Sequence, residues 1–232
     1  MQSKPRLLTM LDIVTIILFF AAVGMVFFYA PMEAVMGQVQ RVFYFHVANA
    51  WVGMLGFMVA AISGIAYLLK GDRKWDIIGL AAIEISFVFF FIAIVSGSIW
   101  ARGSWGTWWT WEPRLTSAAI VELLYAAYFL LRQGLEEPDQ RARIGAIYAI
   151  LSFLSVPLTF ISIRIFRTIH PVILGSGSAS AQGSFDMSTR MLQTFIFSLV
   201  VFSFIFADLL WHRIRLGRLA ETVENLRLKV LS

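Results

Sequence analysis

Six long apolar stretches constrain this chain more than anything else in it: Ile13 to Ala30, Val47 to Leu69, Ile77 to Ala101, Leu115 to Leu131, Ile144 to Ile163 and Met191 to Leu210. Each approaches the roughly 20 apolar residues that a helix needs to cross a bilayer. Inside hydrocarbon every backbone N–H and C=O must be bonded within the protein, so runs of this length form helices. The fourth stretch is the weakest, being short and interrupted by Glu122. Pro157 predicts a kink in the fifth, because proline lacks a helical N–H and crowds the carbonyl four residues back. The expectation is an all-α polytopic membrane protein with six transmembrane helices, forming one domain over residues 1–232. Only 14% of residues are charged, against about 25% in a soluble domain, so there is too little polar surface for a water-soluble fold. Ile13 to Ala30 also exceeds the roughly 7–15 residues of a signal-peptide core, and is read as a retained helix.

The cations between these stretches alternate in density. Lys4, Arg6, Lys70, Arg73, Lys74, Arg132, Arg141, Arg143, Arg213, Arg215, Arg218, Arg227 and Lys229 fall on one side; only Arg41, Arg102, Arg114, Arg164, Arg167 and Arg190 fall on the other. The positive-inside rule puts the first set, and both termini, in the cytoplasm. The net charge of +5 is therefore read as topology and not as a nucleic-acid surface. The outer segments are then about 31–46, 102–114 and 164–190, and each carries an unusual feature. The first ends in FYFHVANAW with His46, the second continues into WGTWWTWEPRLTS from Trp105, and the third contains RTIHPVI with His170. His212, in WHRIR, falls on the cytoplasmic side and is read as a hydrogen-bonded interface residue.

Single tryptophans such as Trp51, Trp75 and Trp211 fit an aromatic belt at the membrane interface. Trp105, Trp108, Trp109 and Trp111, with Trp100 just before, are too many for a belt. If that segment is helical, Trp105, Trp108, Trp109 and Glu112 share one face and make an apolar platform for a large, flat partner. His46 and His170 arrive at the same side from different segments, and neutral imidazole is a common ligand of metals, haem iron included. Two histidines make a thin zinc site. Arg164, Arg167 and His170 are spaced by three and project together if their helix extends that far. A guanidinium such as Arg114 matches a carboxylate, or equally a lipid phosphate. Glu84 and Glu122 lie inside predicted helices and receive no role.

With no Cys, the chain has no disulfide, thiolate metal site, thiol nucleophile or CxxCH haem-attachment motif. GSGSASAQGS, Gly175 to Ser184, reads as a flexible loop; it lacks the Gly-Lys-Ser/Thr of a phosphate-binding loop. No nucleophile and base stand at usable spacing, so the chain is read as a non-enzyme.

WGTWWTWEPRLTS resembles the tryptophan-rich signature of haem-handling proteins of cytochrome c maturation, roughly W-G-x-x-W-x-W-D-x-R-L-T. With six spans, FYFHVANAW and RTIHPVI, nearly the whole chain resembles the cytochrome c maturation protein C (CcmC) family. The resemblance implies a protein of the bacterial inner membrane that holds b-type, non-covalent haem in transit at the outer face and passes it to a periplasmic haem chaperone. It also implies an ABC-type ATPase with its membrane subunit, and a small accessory membrane helix, as partners. By motif matching, His46 and His170 become the axial-ligand candidates and Trp105, Trp108, Trp109 and Trp111 the platform, while Glu112, Arg114 and Arg167 join the haem-binding set. Glu112 stands where the family's usual residue is aspartate, and its extra methylene moves the carboxylate by roughly 1.5 Å. Two other classes compete. A b-type electron-transfer cytochrome would need haem iron within the bundle, and quinol turnover would identify it. A solute transporter usually shows repeated halves and broken mid-membrane helices, and uptake into sealed vesicles would identify it.

Overall fold

Every apolar stretch is helical, the fifth as two helices, in the computed structural model, which describes residues 4–34, 36–166, 168–171 and 187–231. The elements are α1 (Arg6–Gly24), continued by a π-helical turn over Met25–Tyr29, then α2 (Gln40–Lys70), α3 (Arg73–Trp105), α4 (Pro113–Gln133), α5 (Pro138–Phe153), α6 (Ser155–Ile165) and α7 (Thr189–Leu231). Among the described residues no strand forms. Six helices are long and apolar enough to cross a membrane, with α5 and most of α6 together making the fifth, Pro138–Ser162. The span over Pro113–Gln133 has the lowest mean hydropathy, 1.4, as its internal glutamate predicts. The fifth span breaks at Leu154, where Pro157 has no N–H to offer the carbonyl four residues back, and the Leu154 N–H closes on the Leu151 carbonyl at 3.2 Å.

Helices α2 and α3 form the central hairpin. Gly71, at φ +65°, ends α2 in the left-handed conformation, and the Asp72 side chain accepts the Lys74 N–H at 3.0 Å to start α3. The two helices then pack backbone to backbone: a Cβ at Gly56 would fall 1.8 Å from Ser86 Oγ. Phe57 lies flat on Tyr125 of α4, with ring centroids 3.6 Å apart, and Phe202 and Phe206 of α7 close the same core. Helix α1 sits at the edge, against α7. Outward-facing Phe20, Leu123, Leu130 and Leu151 are all more than 60% exposed, as expected where the surrounding solvent is hydrocarbon.

Polar contacts mark the two ends of the bundle. At one end Arg132 grips Asp76 with two bonds of 2.6 and 3.1 Å, and Arg213 meets Glu84 at 2.7 Å. At the same end His212 bonds Asp12 at 2.8 Å, the hydrogen-bonded role expected of it, and Arg73 donates to the Pro138 carbonyl at 2.8 Å. Glu84 thus has a partner; the Glu122 carboxylate has no hydrogen-bond partner among the described residues. The other end holds the N-terminus of α2, the C-terminus of α3, the start of α4 and the chain after α6, and there Tyr29 bonds Gln193 at 2.6 Å.

Candidate functional site

Helix α2 starts at Gln40, so His46 lies inside its second turn and not in the preceding segment. Its Nδ1 is 2.8 Å from the Ala93 carbonyl oxygen of α3. A carbonyl only accepts, so Nδ1 carries a proton, and in the neutral ring Nε2 keeps its lone pair. The ring fits there because residue 97 is glycine: a Cβ would stand 2.7 Å from His46 Cε1. Gly97→Ala is therefore expected to displace the imidazole and weaken the binding of any metal it ligates about 10–100-fold, the usual effect of disturbing a ligand's support. A haem titration followed by absorbance checks this.

The tryptophan segment is not a continuous helix. Gly106, at φ +74°, ends α3 in the left-handed conformation, and α4 starts only at Pro113, with Glu112 as its N-cap. The platform expected from i, i+3, i+4 spacing is therefore absent, and the rings divide. Trp105 and Trp109 line a cleft; Trp108 and Trp111 are 59% and 76% exposed and stand outside it. Trp100 lines the cleft as well and meets Trp105 edge to face at 5.2 Å. The indole N–H of Trp109 is buried with no hydrogen-bond partner among the described residues.

Helix α6 ends at Ile165, and Phe166 is already extended. The shared helical face expected for Arg164, Arg167 and His170 therefore does not form; Arg167 itself lies outside the described residues, as does Gly175 to Ser184. His170 reaches the cleft on a non-helical segment, its ring 6.4 Å from that of Trp105. Its Nδ1 donates to the Pro171 carbonyl at 3.1 Å, leaving Nε2 with the lone pair. Burial, the Arg114 guanidinium and the nearby His46 together push the His170 imidazole down to about 3. It is therefore neutral at physiological pH, the state in which imidazole ligates a metal.

The tripeptide Glu112–Pro113–Arg114 ties the start of α4 to the chain around and after α6. Arg114 Nη1 donates to the Thr159 carbonyl at 2.6 Å, and the guanidinium lies 4.6 Å over the Phe160 ring. Arg114 also lines the cleft. Glu112 caps α4 by accepting the Leu115 N–H at 3.2 Å, and its other oxygen accepts the Thr168 hydroxyl. One carboxylate thus serves both partners. Thr168 and Gly97 were not singled out in the sequence; only the glycine, inside an otherwise bulky apolar run, signals a close approach.

The cleft encloses about 690 Å³ of empty space, its open part included. Its walls combine His46, His170, Trp105, Trp109 and Arg114 with apolar side chains such as Met54 and Phe90. It thus joins two imidazoles, three indoles and a guanidinium.

The family profile described as "Heme exporter protein C" (CcmC) matches residues 1–229. Heme exporter protein C of Bradyrhizobium diazoefficiens is 28% identical over 86% of this chain and 74% of its own length. The Escherichia coli protein of the same name is 32% identical over 71% of this chain and 65% of its own length, and that of Rhodobacter capsulatus 31% over 66% of each. The chain thus spans about two thirds to three quarters of the length of these curated relatives.

Proposed function

This chain belongs to the heme exporter protein C (CcmC) family, and on that premise we propose that it holds haem at the outer face of the bacterial inner membrane and presents it to a periplasmic haem chaperone during c-type cytochrome biogenesis. The observation that carries this reading is the shared cleft of His46, His170, Trp105, Trp109 and Arg114. Each imidazole spends Nδ1 on a backbone carbonyl and keeps Nε2 for iron. The indoles suit the apolar porphyrin face. The Arg114 fork and the unpartnered Trp109 N–H suit a propionate carboxylate.

Haem here is cargo, bound without a covalent link. Holding it between two side chains at the rim of the bundle favours both retention and release, and Trp108 and Trp111 remain available outside the cleft for a partner. The cation-rich loops gather at the bundle end away from the cleft, and the positive-inside rule supports a cleft facing away from the cytoplasm. An ABC-type ATPase with its membrane subunit, and a small accessory membrane helix, complete the proposed assembly.

The test is an absorbance spectrum of the purified chain loaded with haem, with and without reductant. A low-spin, six-coordinate spectrum with two histidine ligands is expected. A high-spin spectrum, or no binding, would remove the assignment. Since the chain has no cysteine, Trp108→Cys supplies a single thiol for a membrane-impermeant reagent, and labelling from the periplasmic side is the expected result.

A further inference from the structure

The two histidines are held in different ways. His46 is fixed by a helix, by the Ala93 carbonyl and by the close approach of Gly97. His170 lies beyond the last residue of α6, where no helical ladder sets the position of its backbone. Its backbone N–H donates to Thr168 Oγ1 at 3.0 Å, and the Thr168 hydroxyl donates to the Glu112 carboxylate. Thr168 is 2% exposed, so water does not readily replace these bonds. Glu112 is itself anchored, because its second oxygen caps α4.

We propose that Thr168 is a positioning residue: its hydroxyl, gripped by Glu112, sets where the segment bearing His170 sits against the cleft. One hydroxyl can do this because it both donates and accepts. It gives its proton to a carboxylate, the stronger kind of hydrogen bond, and takes the His170 amide on its lone pair. The relay links Glu112, at the end of the tryptophan segment, to the backbone of His170. The role assigned to the imidazole rests on the haem-binding reading above; the placement of the segment does not.

The test uses the full-length chain in detergent or nanodiscs, with Ile169→Cys as its only thiol. The rate of thiol labelling of the haem-free protein reports how firmly the segment is held. Thr168→Val keeps the shape and removes the hydroxyl; Thr168→Ser restores it. Labelling is expected to be about tenfold faster or more in the valine variant, the effect of losing a charge-assisted hydrogen bond on local opening. The serine variant should return to the parent rate, and Glu112→Gln should fall between. With the native residue at 169, the valine variant should bind haem about tenfold more weakly and the serine variant normally. Equal labelling in the valine variant and its parent would overturn the proposal, and so would a serine variant that behaves like valine, since bulk and not hydrogen bonding would then be responsible. Faster, serine-rescued labelling in a chain that binds no haem at all would leave the relay standing and remove the haem reading instead.

Discussion

His46→Ala and His170→Ala are each expected to lower haem affinity by about a hundredfold or more. Loss of a ligand's supporting partner already costs about 10–100-fold in metal affinity, and removing the ligand itself should reach or pass the upper end of that range. The spectrum should change along with the affinity, because an iron left with one imidazole becomes five-coordinate or takes water. The two variants should nonetheless differ in what else they disturb. His46 packs into the α2–α3 hairpin, so its removal opens a space beside Gly97 and the Ala93 carbonyl. His170 projects from a non-helical segment, and its removal is expected to loosen only its ring contact with Trp105. Haem titrations of both variants, with thermal unfolding of the haem-free proteins in parallel, read the two effects separately. Normal haem content and spectrum in both would overturn the ligand assignment.

Asp76→Ala is expected to destabilise the bundle by about 3–5 kcal/mol, the usual cost of leaving a buried charge without its partner. The Arg132 and Asp76 side chains are only 10% and 8% exposed, and their two-pronged contact joins α4 to the start of α3. Arg132 also lies against Gly145 of α5, where a Cβ would stand 2.7 Å from its Nη1, so the guanidinium has little room to turn towards water. Glu84→Ala provides the contrast. The Arg213–Glu84 pair is about one-third exposed on each side, and its loss should cost about 1 kcal/mol or less. Unfolding midpoints in a denaturing detergent would rank the two variants. A small effect at Asp76, equal to that at Glu84, would show that Arg132 finds water or another acceptor.

Much of this was legible because hydropathy is local. Twenty apolar residues cross a membrane whatever their neighbours do, so the six spans, the weakness of the one containing Glu122 and the kink near Pro157 follow from short windows of sequence. Alternation of the spans then brings His46, the tryptophan segment and His170 to the same end of the bundle. The shared tryptophan face failed for an equally local reason: Gly106 stops α3 immediately after Trp105, so i, i+3, i+4 spacing has no helix on which to act. The expected alignment of Arg164, Arg167 and His170 failed in the same way, with α6 ending at Ile165. Spacing within a motif predicts a common face only while the helix continues.

Residue order alone therefore determined how many helices are long and apolar enough to cross a bilayer, which segments share an end and which side chains are candidates for binding. Tertiary structure alone decided that Trp105 and Trp109 line the cleft while Trp108 and Trp111 do not, that Glu84 is partnered by Arg213, and that Glu112 reaches His170 through Thr168. The division has a physical cause. Transfer of a helix into hydrocarbon sums over that helix's own residues, whereas a hydrogen bond or a close ring contact depends on atoms far apart in the chain whose positions are fixed only when the helices pack.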